Sequence, residues 1–139
     1  MIGKSLADAA FVAALVLAAG HIAAVRASPL AAGELQARTG GGEFRGYGST
    51  RRSPLEDVIW RFRTDGTVMS VSQIRRKYGF SSQFEEYSDA GRWRIEGDRL
   101  CVEFDGSHRD FSGCYAVDGS AGDQVRLAGP VHLQGTLGH

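Results

Sequence analysis

The residues best suited to chemistry gather in one short stretch: Glu103, Asp105, His108 and Asp110. Carboxylates beside an imidazole can hold a divalent metal or work as an acid–base pair. Nothing in the chain supplies a nucleophile with an orienting partner, and Asp105-Gly106-Ser107 is ordinary turn chemistry. A polar turn is therefore the expectation, with a small hydrolase or lyase using His108 as the alternative. Glu85, Glu86 and Asp89 form a second acidic group, of the kind a glycosidase holds across a cleft. Adjacent residues on an extended strand point to opposite faces, so the two glutamates read as solvated charges rather than a catalytic pair. Arg75, Arg76 and Lys77 offer contact with an anionic partner such as lipid headgroups or acidic glycans, although such a run is more often a solvated face.

Four aromatic residues, Tyr78, Phe80, Phe84 and Tyr87, alternate with charge and serine around Gly79. Either they complete the core of a hairpin spanning residues 74–90, or they form a rim or lid at a binding site. They are the candidate ligand- or partner-binding set. No metal site and no cofactor is expected. His132 and His139 are isolated, and Gly40-Gly41-Gly42 lacks the strand–glycine–helix setting of a phosphate loop.

The elements that must position these residues begin after an export segment. Lys4 precedes the apolar run Ala9–Ala19, and Val25-Arg26-Ala27 offers a cleavage site after Ala27. Residues 1–27 read as a signal peptide for the general secretory route, and the protein is expected in the periplasm or the medium. The apolar run is too short to span a bilayer, which needs about 20 residues. Without Lys4, Asp8 and Arg26 the chain carries one more acid than bases. That balance argues against a nucleic-acid partner, which calls for a marked basic excess. Cys101 and Cys114 are the only cysteines, and in an exported chain an even pair reads first as a disulfide.

Residues 28–42 form a flexible or short helical lead-in, and 43–139 read as one β domain. Glu43–Tyr47 alternates as a first strand, and Asp57–Arg63 as a second with Val58, Trp60 and Phe62 on one face. Asp65-Gly66 signals a two-residue hairpin. Pairing Thr64 with Thr67 sets Phe62 opposite Met69 and Trp60 opposite Val71. Farther on, Gly97-Asp98 turns a hairpin that sets Ile95 against Leu100 and Trp93 against Val102. Pairing Phe104 with Phe111 across the next loop brings Leu100 opposite Tyr115 and Cys101 opposite Cys114, a separation that suits a disulfide. Gln124–Leu127 and Val131–Leu137 supply the last strands. The fold class is all-β: a small antiparallel up-and-down meander, closed as a barrel (lipocalin-like in miniature) or left as a strongly curved sheet. Its core would hold Trp60, Phe62, Met69, Val71, Trp93, Ile95, Leu100, Val102, Phe104, Phe111 and Tyr115.

The order Trp60-x-Phe62, Asp65-Gly66-Thr67, Gly91-x-Trp93, Gly97-Asp98-x-Leu100-Cys101 and then Cys114 resembles an uncharacterised family of small exported bacterial proteins. The resemblance spans residues 30–128 and is most specific over Gly91–Cys101. It implies a compact β domain and an exported address, and no activity. The long Ile74–Ala90 segment departs from the commonest form of that pattern. Together these readings favour a non-enzymatic binding or interaction module for a small apolar ligand or a protein partner.

Overall fold

A computed structural model describes residues 28–120 and 122–139. The expected signal peptide, residues 1–27, lies outside the described residues. The strands are β1 (Ser28–Pro29), β2 (Glu43–Ser49), β3 (Glu56–Phe62), β4 (Thr67–Tyr78), β5 (Ser81–Glu96), β6 (Arg99–Phe104), β7 (Gly113–Gly119), β8 (Gln124–Ala128) and β9 (His132–Gly138), with one helix, α1 (Ala32–Thr39), between β1 and β2. From β2 to β9 each strand pairs antiparallel with the next, and β9 returns to pair with β2. The sheet is thus a closed up-and-down barrel, with two-residue β1 laid on β7. Closure removes the open edges that make small sheets prone to association.

Alternation dictates the wall. In β3 the inward positions Glu56, Val58, Trp60 and Phe62 are buried, while Asp57 and Arg61 face water. Trp60 sits at the centre, its ring within 5.6–6.3 Å of the rings of Phe44, Phe62, Phe104, Phe111 and Tyr115, mostly tilted or edge-on. Val117, Val125, Leu127, Leu133 and Leu137 complete the core from the second half of the chain. Side chains therefore occupy the interior, and the depressions lined by described residues are open clefts on the outside. The outer wall carries exposed Arg45, Arg61, Arg92, Arg94, Glu103 and Arg126, so it faces water rather than the apolar tails of a bilayer.

Helix α1 packs at the barrel end where β2 begins. Leu35 is fully buried in the core, and the Thr39 hydroxyl donates to the Leu35 carbonyl at 2.6 Å. Gly40 N–H closes the last turn on the Gln36 carbonyl, and Arg38 pairs with Glu34 one turn away at 2.7 Å.

Two registers depart from the sequence reading. Between β3 and β4, Phe62 faces Val68 and Trp60 faces Ser70, one residue away from the expected pairing. The loop is not Asp65-Gly66 alone but Thr64-Asp65-Gly66. Gly66, at φ +89°, donates to the Arg63 carbonyl, and Arg63 N–H donates to Thr67. This is the three-residue hairpin loop with a left-handed glycine, which the same dipeptide serves equally well. A slip of one residue exchanges faces. Val68, Ser70, Ser72 and Ile74 turn inward, whereas Met69 is exposed and Val71 is only half-buried, so neither belongs in the core.

The second departure is at Phe104 and Phe111, which do not pair as strand residues. The β6–β7 ladder stops at Val102–Gly113, and Phe111 ends a single 3-10 turn, Arg109–Phe111. The Ser112 hydroxyl takes the ladder's place, accepting from Phe104 N–H at 2.9 Å and donating to its carbonyl at 3.1 Å. The rest of that reading stands: Ile95 faces Leu100, Trp93 faces Val102, Leu100 faces Tyr115, and Cys101 faces Cys114 in a disulfide.

Candidate functional site

Opposite α1, the barrel end is polar, and three segments build it. The loop after β2 brings Arg52, the start of β3 brings Glu56, and the loop after β6 brings His108. Glu56 is fully buried, accepts a hydrogen bond from the Thr50 hydroxyl, and pairs with Arg52 Nε at 3.1 Å. The Arg52 guanidinium lies 5.1 Å from the Tyr87 ring centre and 5.5 Å from that of Phe111, and donates to the Ser107 carbonyl. It closes this end as a stacked, paired cation.

The His108 loop hangs from Asp89. One carboxylate oxygen accepts from Gly106 N–H at 2.9 Å and from His108 N–H at 3.1 Å. A Cβ on Gly106 would lie 2.8 Å from the Asp89 carboxylate, so a side chain there would displace the carboxylate that holds the loop. His108 is thereby driven inside, fully buried against Phe104 and Phe111, with Nε2 3.0 Å from the Ser72 hydroxyl. Burial, reinforced by the positive charge of Arg52, lowers its pKa to about 4. Glu103, Asp105 and Asp110 make no hydrogen bond to the imidazole among the described residues; Glu103 and Asp105 are exposed and Asp110 is half-buried. The expected turn exists, but its histidine is a neutral core group out of reach of those carboxylates.

Four buried polar atoms have no hydrogen-bond partner among the described residues: Arg52 Nη2, Trp60 Nε1, Ser70 Oγ and His108 Nδ1. Their residues adjoin one another. Ser70 faces Trp60 across the β3–β4 ladder, Ser72 is the next inward residue, and Phe111 packs on both Trp60 and His108. This polar thread gave no signal in the sequence, because serines at inward positions do not read as core.

The second candidate region projects from the same end. The β4–β5 ladder runs to Tyr78–Ser81, but β3 accompanies β4 only as far as Gln73, and β6 accompanies β5 only from Gly91. Beyond those limits two strands continue as a ribbon, turned by Gly79 at φ +62° and Phe80. Residues 74–90 are therefore hairpin rather than loop. Rungs fix the faces: Ile74, Arg76, Tyr78, Glu85 and Tyr87 share one, and Gln73, Arg75, Lys77, Phe84 and Glu86 share the other.

On the first face Glu85 is a hub. It accepts from the Tyr78 hydroxyl, the Tyr87 hydroxyl and Arg76 Nε, each at 2.7 Å. The Tyr78 and Tyr87 hydroxyls, then Arg76, hold its pKa down at about 2, and the same contact raises that of Tyr78. On the other face the Arg75 guanidinium lies 5.0 Å from the Phe84 ring centre, and Gln73 donates to Glu86 at 3.1 Å. The four aromatics are thus not one patch. Tyr78 and Tyr87 converge on Glu85, Phe84 lies on the reverse face, and Phe80 stands at the tip, fully exposed. The two glutamates do point to opposite faces.

Beside the disulfide, Glu96 Oε2 lies 3.2 and 3.4 Å from the two sulfurs. Bonded sulfurs have no proton to donate and no thiolate to offer, so this trio is not a metal site while the bridge is intact. Comparison with protein-family models, with curated proteins and with solved structures gave no match.

Proposed function

We propose that this chain is an exported, non-enzymatic interaction module in which the barrel is a rigid mount and the distal β4–β5 hairpin is the contact element. The observation that carries the reading is Phe80, fully exposed at the tip of a ribbon that outruns both neighbouring strands. Exposed Tyr78 and Phe84 stand on the same ribbon, and apolar surface gathered on one projecting element marks an interaction site. The occupied interior favours a partner met at the arm over a small apolar ligand carried inside. His108, sealed and neutral, supports a non-catalytic role. The disulfide and the Ala9–Ala19 apolar run support export, and the N-terminus of the exported form is expected at Ser28.

Photo-crosslinking tests the reading. A benzophenone amino acid replacing Phe80 in producing cells is expected to form adducts, whereas the same group replacing Met69 on the barrel wall is not. Equal labelling from both positions, or none from position 80, removes the arm as the contact element.

A further inference from the structure

We infer that the arm docks on the surface of a bilayer containing anionic phospholipid; this rests on the arm being the contact element and names its partner. Beyond the Ile74–Glu85 rung, residues 75–84 hold Arg75, Arg76 and Lys77 and not one carboxylate. Arg76 is neutralised by Glu85 at 2.7 Å. Arg75 and Lys77 sit on the opposite face, exposed, and enter no ion pair among the described residues. Between and beyond them stand exposed Tyr78, Phe84 and Phe80. The result is an exposed tip ring, Phe80, with aromatic side chains on both faces below it and two unpaired cations on one of them.

A bilayer surface has the matching profile: phosphate anions outside, an apolar layer immediately beneath, and no need for a preformed groove. Cationic side chains lay their stems along the apolar boundary and keep their charged heads among the phosphates, and aromatic rings favour that same boundary. The geometry also limits the depth. Four residue steps lead from the Ile74–Glu85 rung to the tip pair Tyr78–Ser81, a span of about 13 Å at strand rise. The first carboxylates, Glu85 and Glu86, then stop immersion. The charged outer wall keeps the barrel itself in water.

The full chain carrying Phe80→Trp, mixed with vesicles of phosphatidylcholine alone or of equal parts phosphatidylcholine and phosphatidylglycerol, tests this directly. Trp60 and Trp93 are buried and supply a constant background. The position-80 indole reports the depth of the arm itself, whatever binding residues 1–27 contribute. The new indole is expected to shift to the blue and be quenched by brominated lipid only with the anionic vesicles. Arg75→Gln with Lys77→Gln should weaken partitioning about 25-fold, from about fivefold per cation. Arg126→Gln on the barrel wall should weaken it less than twofold. An indole that stays in water, or a wall variant as damaging as the arm pair, overturns the inference. If that failure comes with protein adducts from the position-80 crosslinker, the arm remains the contact element and lipid is excluded as its partner. If no adduct forms, both readings fall together.

Discussion

The lower and upper halves of the β4–β5 hairpin belong to one continuous ladder yet stand in opposite relations to water. In the lower half Val68, Ser70, Ser72 and Ile74 are at most 2% exposed, because six other strands and the barrel interior lie across from them. In the upper half Tyr78 is 52% and Phe84 62% exposed, because no further strand is layered beneath a two-stranded ribbon. Alternation sorts residues onto faces; only a second layer turns a face into core. Serines thus lie inside and phenylalanines outside on the same pair of strands. A free two-stranded ribbon is marginal in water, and the contacts that brace this one are polar ones gathered on Glu85.

That contrast can be attacked from the barrel side first. Trp60→Ala should lower unfolding free energy by about 4 kcal/mol in urea titration, the loss expected for a large buried aromatic. A loss below about 1 kcal/mol would mean that the interior is not filled. Next in size, Cys101→Ser with Cys114→Ser should cost about 3 kcal/mol, since the bridge closes a short loop in the unfolded chain; equal stability of the reduced and oxidised protein would contradict it.

Acid provides a third lever, of about 3 kcal/mol at most. The unfolded chain protonates its histidine near pH 6.5, while folded His108 resists until about pH 4 because burial, and then Arg52, disfavour its charge. The His108 contribution is therefore full above pH 6.5, declines as the pH falls toward 4, and levels off below, where loss of the Glu85 contribution continues the fall. Melting temperature against pH should lose that slope in His108→Asn; an unchanged slope would assign it elsewhere. Smallest of all, Phe80→Ser and Phe84→Ser should leave stability within about 0.5 kcal/mol of the parent. A large fall for either would make the ring a core residue and erase the distinction between the two halves.

The sequence was most readable where turn chemistry admitted one solution. Gly97-Asp98 between alternating strands allowed a single register, and the facing cysteines reinforced it through β7. Asp65-Gly66 admitted two loop lengths, and the choice fell to hydrophobicity. Met69 and Val71 outweigh Ser70 and Ser72 on any scale of apolarity, so the pattern favoured the wrong face. Inward serines make sense only beside His108, Glu56 and Arg52, which come from distant segments and meet only when the wall closes. The core residues of the first and last barrel strands, Phe44, Val125, Leu127, Leu133 and Leu137, lie in short alternating runs whose burial depends on β9 reaching β2. The aromatics of the arm were visible as a group, but their division between two faces and a tip follows from the position of the turn at Gly79-Phe80.

Closure of β9 on β2 also sets an order of events for a chain that emerges from its N-terminal end. Glu43 must wait for Gly138, and Phe44 for Leu137, so the seam is the most non-local strand pairing among the described residues and among the last that can form. Until then β2 presents a bare hydrogen-bonding edge, and half the interior lacks its cover. Folding limited by such a late, distant pairing belongs in the millisecond-to-second range rather than the microsecond one. It is in this interval, before the seam is sealed, that the chain is most exposed to pairing with a second copy of itself.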